Sequence, residues 1–177
     1  TKIGGELGAG YGAGTPEERR KRLLENLDTF GKMGGKYIIS GLGLAHPDLK
    51  HIGSSTVTNY GATINLYEYS KAFPLYYLAN KDCGECVPTG REIKIYLSKN
   101  GYYHFQVDLQ KPQKLVLLVA NLPGWEVYVD SVKSTILPVN GVFMGVDLTE
   151  GKHVVEFEYQ GMLGELKWLK RFKLVRN

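Results

Sequence analysis

The sequence predicts an α+β chain: a small N-terminal α/β unit of one helix and about three strands over 1–88, then an antiparallel β-sandwich over 89–177. Three observations carry that prediction. A single segment near the start has both a helix-opening signal and an apolar stripe at helical spacing. From Arg91 onward only short alternating segments separated by turn residues occur. The composition, with 22 Gly and 12 Tyr among 177 residues, suits half-buried strands joined by tight turns.

The elements follow in order. Gly4 to Gly14 is glycine-rich, and Gly8-Ala9-Gly10-Tyr11-Gly12-Ala13 formally matches G-x-G-x-x-A. A dinucleotide fingerprint must follow a buried strand, and only Ile3 and Leu7 are apolar before the motif, so the segment reads as a lead-in. Thr15 is a capping residue, Pro16 suits the first helical position, and Glu18 completes a capping box. Leu23, Leu24, Leu27 and Phe30 form the apolar stripe, Arg19-Arg20-Lys21-Arg22 reads as a solvated face, and Gly31 and Gly34-Gly35 end the helix. Lys36–Ser40, Ala62–Tyr69 and Phe73–Leu78 read as strands, and 41–61 as a Gly/Ser/Thr-rich connection.

Seven strands are expected over 92–97, 102–109, 114–120, 125–130, 135–139, 142–148 and 153–159, with Asn100-Gly101 and Asn140-Gly141 as tight turns. The final stretch from Leu166 fits a helix through Leu166, Leu169, Phe172 and Val175, or a bulged strand. A strand closing the sandwich edge is the preferred reading.

Charge and cysteine usage narrow the function classes. The formal charge of +4 is matched by the tail from Glu165 alone, where Lys167, Lys170, Arg171, Lys173 and Arg176 face one anion. A neutral body argues against a broad nucleic-acid face, so no nucleic-acid partner is expected. The tail is either a solvated end or a contact for anionic lipid headgroups. The longest apolar run, Leu115–Ala120, has strand length and falls far short of the roughly 20 residues that span a bilayer. A start at Thr1 without a basic-then-apolar leader reads as a fragment of a longer product. Cys83 and Cys86 form one C-x-x-C, open to three readings: a local disulfide, free thiols, or a metal or redox site. A structural zinc site needs four ligands and the four histidines are scattered, so no metal or cofactor is expected.

Three consecutive segments carry a family resemblance. They are Asn121-Leu-Pro-Gly-Trp-Glu-Val-Tyr-Val-Asp130, Asn140-Gly-Val-Phe-Met-Gly-Val-Asp-Leu148 and Gly151-Lys-His-Val-Val-Glu-Phe-Glu-Tyr159. In this order they resemble the C-terminal extracytoplasmic region of YfhO-like polytopic membrane proteins. Upstream, Met33–Ser40 and Asn65–Tyr76 resemble segments of the same family, so the resemblance runs from Leu23 to Tyr159. Ser131 stands where the family usually has Gly, which predicts a longer turn there, and Leu75 replaces its usual Arg.

The resemblance implies a GT-C-like membrane glycosyltransferase that uses lipid-linked sugars in envelope glycan or glycolipid assembly. This chain is expected to be its soluble extracytoplasmic domain, accessory rather than catalytic. Its partners would be the membrane-embedded remainder of the same polypeptide and a glycan acceptor. A stand-alone carbohydrate- or protein-binding module is the alternative. Trp125, Asp130 and His153 are the candidate ligand-binding residues. Each also has a reading without chemistry: a lid over the sandwich end, a turn acceptor, and a hydrogen-bonded surface histidine. No catalytic residue is assigned. Glu156 and Glu158 share one strand face, whereas a glycosidase pair flanks a cleft.

Overall fold

The computed structural model describes residues 14–57, 61–90, 93–99 and 101–161. The glycine-rich lead-in, Asn100 and the basic C-terminal stretch lie outside the described residues. The chain divides into two compact units, Thr1–Pro74 and Leu75–Asn177. Both are built on antiparallel sheet, with two short helices in the first.

In the first unit, α1 (Pro16–Glu25) begins as its local sequence dictates. The Thr15 hydroxyl accepts from the Glu18 amide at 3.2 Å, and the Thr15 amide donates to the Glu18 carboxylate at 2.7 Å. Two of the helix's orphan donors are thereby satisfied. Asn26 interrupts the helix, which resumes as α2 (Leu27–Lys32). Gly31 does not end the helix. It lies buried inside α2, and a Cβ there would come within 2.4 Å of the Tyr69 ring. The terminator is Gly34, at φ 82°, and the Gly35 amide reaches back to the Phe30 carbonyl at 2.9 Å.

Three antiparallel strands, β1 (Tyr37–Ser40), β2 (Leu49–Val57) and β3 (Ala62–Tyr69), form a sheet in the order β1-β3-β2. β2 overturns the reading of 41–61 as a connection throughout. It is an edge strand, bulged between His51 and Gly53, with little apolar alternation to betray it. The stripe of α1 and α2 packs on the sheet: Leu27, Ile38, Leu44, Tyr67 and Tyr69 are buried, flanked by Leu23, Leu24 and Phe30. The Tyr67 hydroxyl accepts from the Leu44 amide at 2.9 Å and closes the loop before β2.

In the second unit, β4 (Tyr76–Asn80), β7 (Gln113–Ala120), β10 (Leu137–Val139) and β11 (Phe143–Leu148) make one sheet in the order β10-β11-β7-β4. The segment at 73–78, expected within the first unit, thus supplies β4, whose hydrogen bonds go to β7. The other sheet contains β5 (Lys94–Lys99), β6 (Tyr102–Leu109), β8 (Trp125–Val129), β9 (Val132–Ser134) and β12 (Gly151–Tyr159), ordered β5-β6-β12-β8-β9.

The two sheets share one core. Leu78, Leu115, Leu117, Met144 and Val146 come from the first sheet, and Phe105, Val127, Val155 and Phe157 from the second. The Tyr76 and Phe105 rings meet across it at 5.3 Å. Val116 and Leu118, on the other face of β7, are buried too, so that strand is covered on both sides.

The contact of Gly31 with Tyr69 generates a test. Gly31→Ala forces the ring or α2 to move and is expected to cost about 1–3 kcal/mol, the usual range for overpacking. Denaturant unfolding checks this, and an unchanged midpoint contradicts the close approach.

Candidate functional site

The sequence candidates separate into two places. Trp125 opens β8 and Asp130 follows its end, about 17 Å away at strand rise. β12 runs antiparallel beside it, pairing Tyr159 with Trp125 and Val155 with Val129. Each end of this ribbon therefore gathers its own set of side chains.

At one end Asp130 and His153 meet. His153 Nδ1 lies 2.8 Å from Asp130 Oδ2, and Asp130 Oδ1 accepts from the Val154 amide at 2.9 Å. An ionised carboxylate only accepts, so Nδ1 carries the proton. Nε2 then accepts from the Thr149 hydroxyl or, when protonated, donates to the Thr149 carbonyl, both at 3.2 Å. The Val154 amide and then the His153 bond hold the Asp130 carboxyl below the usual carboxylate range. The His153 side chain is 12% exposed and that of Asp130 50%.

Asp130 and Ser131 form a two-residue turn, with Val129 paired to Val132 and φ values of 52° and 67°. The longer turn expected from Ser131 is not formed. Ser131 instead adopts the left-handed conformation that glycine would take at less cost.

At the other end Trp125 lies on the inward face of β8, packed on the core edge between Tyr159 at 5.2 Å and Tyr103 at 6.0 Å. It also lines a cleft of about 390 Å3 with Leu122, Pro123, Glu126, Lys133 and Ser134. An aromatic edge beside a carboxylate, an ammonium and a hydroxyl suits a ligand with both apolar faces and hydroxyl groups. Glu126 is itself anchored, accepting from the Tyr128 hydroxyl at 2.6 Å and Lys133 Nζ at 2.7 Å.

Glu156 and Glu158 lie on the outward sheet face. Glu156 accepts from the Tyr102 hydroxyl and sits 3.5 Å from His104 Nδ1. The bond to Glu156 pushes the Tyr102 phenol up to about 12. The Glu156 carboxylate joins its strand to β6, and the two glutamates share one face rather than flank a cleft.

Cys83 and Cys86 are joined in a disulfide. The Asn140 side chain clamps Cys86 from both sides, accepting from its amide at 3.0 Å and donating to its carbonyl at 3.1 Å. The buried Tyr77 hydroxyl donates to the same carbonyl at 2.8 Å, and burial pushes its phenol up to about 12. Sequence reasoning treated Asn140 as a turn residue only. Its φ of 47° fits that role, but the clamp joins positions 54 apart and has no local signature. Among the described residues no three His, Cys, Asp or Glu side chains are grouped to hold a metal ion.

The family described as bacterial membrane protein YfhO matches residues 72–167, more than half of the chain. The chain belongs to the YfhO family. The matched segment contains all strands of the second unit, together with Trp125, Asp130, His153 and the disulfide. No match was found among curated proteins or solved structures. Among the described residues no helix is long and apolar enough to cross a membrane.

Two tests follow from the β8–β12 ribbon. Ser131→Gly relieves a left-handed Ser at some cost in unfolded-chain entropy, and is expected to stabilise by up to about 1 kcal/mol in thermal or denaturant unfolding. Destabilisation contradicts the turn geometry. Because the Asp130 carboxyl is lowered in the fold, its stabilisation is present above its unfolded pKa and is lost as pH falls through the folded one. The stability gap between the native chain and Asp130→Asn therefore shrinks as pH falls below about 4. A gap independent of pH contradicts the ionised bond.

Proposed function

We propose that this chain is the soluble extracytoplasmic domain of a membrane glycosyltransferase-like protein of cell-envelope glycan or glycolipid assembly, with an accessory role. Membership of the YfhO family carries this reading. Glycosyl transfer itself rests on the sequence resemblance described above, and belongs to the membrane-embedded part. The second unit is read as a β-sandwich, because two antiparallel sheets contribute to one core. The disulfide supports an extracytoplasmic side, since such bonds persist in oxidising compartments.

Within that domain the Trp125 cleft is the proposed contact for a glycan acceptor. Aromatic faces cover the apolar side of a sugar ring, and Lys133, Glu126 and Ser134 supply donors and acceptors for its hydroxyls. Asp130 and His153 are proposed to secure the turn and strand rather than to touch the ligand. A stand-alone carbohydrate-binding module is the second reading, and the same cleft favours it.

The compartment is tested in intact bacteria carrying the full-length parent. A membrane-impermeant thiol reagent is expected to label Cys83 and Cys86 only after reduction by an impermeant reductant. Labelling that requires permeabilised cells places the domain on the other side and overturns the reading. The cleft is tested by titrating this chain with envelope oligosaccharides. Saturable binding is expected to fall about two- to tenfold in Trp125→Ala with the fold retained by circular dichroism, matching a lost stacking contact of about 0.5–1.5 kcal/mol. Undiminished binding removes Trp125 from the site. Substrate turnover by this chain alone contradicts the accessory role.

A further inference from the structure

The first unit has a groove that the reading above does not use. It lies between the helices and β1, holds about 570 Å3, and is lined by apolar side chains including Leu23, Leu27, Phe30 and Ile38. Arg19 and Arg22 line the same groove. Helical spacing explains this arrangement: Arg19, Leu23 and Leu27 lie on one stripe at i, i+4 and i+8, so a cation heads a row of leucines.

Two observations show that this is more than a solvated basic face. Arg19 Nε is buried and meets no acceptor among the described residues. That nitrogen is covered by protein, but Arg19 still lines the groove, and a guanidinium fork suits a phosphate. Beside the groove, Ile39 is 74% and Tyr37 56% exposed on β1. Both residues are also among those that line the groove, at its β1 edge.

We propose that this groove binds an anionic phospholipid, its acyl chain along Leu23, Leu27 and Phe30 and its phosphate at Arg19. The requirement is one occupant with a long apolar part and an anionic head. Charge complementarity favours an anionic over a neutral amphiphile, and the apolar lining gives inorganic phosphate nothing to fill. In a membrane protein family a lipid surface supplies this chemistry. The inference is independent of the Trp125 cleft, which lies in the other unit. It also assigns lipid contact to a place distinct from the basic tail.

The test titrates the 177-residue chain with lysophosphatidic acid below its critical micelle concentration. Lysophosphatidylcholine, of zero net charge, and inorganic phosphate serve as comparisons. Saturable binding of lysophosphatidic acid is expected, about tenfold weaker in Arg19→Gln, as fits loss of one charge-assisted hydrogen bond. Ile39→Glu, at an exposed position, is expected to weaken it comparably without affecting folding. Lys170→Gln/Arg171→Gln in the tail is expected to leave it intact.

Several outcomes overturn the proposal: equal affinity for lysophosphatidylcholine, competition by millimolar inorganic phosphate, or binding lost with the tail variant and kept in Arg19→Gln. Self-association abolished by Ile39→Glu, with no lysolipid bound, makes the groove an interface between copies instead. Circular dichroism of each variant separates loss of binding from loss of fold.

Discussion

The second unit depends on one shared layer of side chains between two antiparallel sheets. Phe105, Phe157, Val127 and Val155 from one sheet meet Leu115, Leu117, Met144 and Val146 from the other, and all are essentially excluded from water. Burying each such side chain contributes about 1.5–3 kcal/mol. No single sheet can achieve this burial, because each has only one face directed at that core. The period-2 alternation of β6, β8 and β12 is therefore enforced by the core, and it determines what the opposite face displays. Glu126, Tyr128, His104 and Glu156 are outward because Val127, Phe105 and Val155 are inward.

The same constraint sets the two ends of the β8–β12 ribbon. Trp125 shares its face with Val127, so its ring must lie at the edge of the core, where Tyr103 and Tyr159 flank it. At the opposite end β8 turns into β9 in two residues, and the Asp130 backbone and side chain both bond to Val154 of β12. The registry of β8 with β12 is thus held by apolar packing along its length and by a carboxylate at its tip. His153 contributes through Asp130, and its bonds to Thr149 tie in the loop that precedes β12.

What was legible in the sequence was what is local. The capping box at Thr15 and Glu18, the leucine stripe, and the alternation of β6, β8 and β12 each depend on residues a few positions apart, and all appear in the structure. What was not legible depends on distant partners. β2 lies at a sheet edge and lacks an apolar alternation, so only its hydrogen bonds to β3 define it. β4 resembles any short apolar strand, and its membership is decided by β7, whose paired residues lie 33 to 41 positions away. Gly31 has the appearance of a helix end because glycine serves that purpose often, whereas here it makes room for Tyr69. Trp125, Asp130 and His153 were each visible as unusual residues, but their division between two ends required the register of β12 on β8.

The polar groups of the second unit differ in how far their bonding capacity is already used. Asp130, His153, Asn140 and Glu156 each bond to groups in other strands or loops, and removing any of them breaks a connection within the fold. A group committed in this way is poorly placed to exchange its partners for a substrate during turnover. The Trp125 cleft and the Arg19 groove are built differently. Each combines an incompletely covered apolar surface with charge at its rim, and Arg19 retains a donor without an acceptor among the described residues. In the Trp125 cleft the charges are paired with each other, Glu126 accepting from Tyr128 and Lys133, so the uncommitted part there is the aromatic edge.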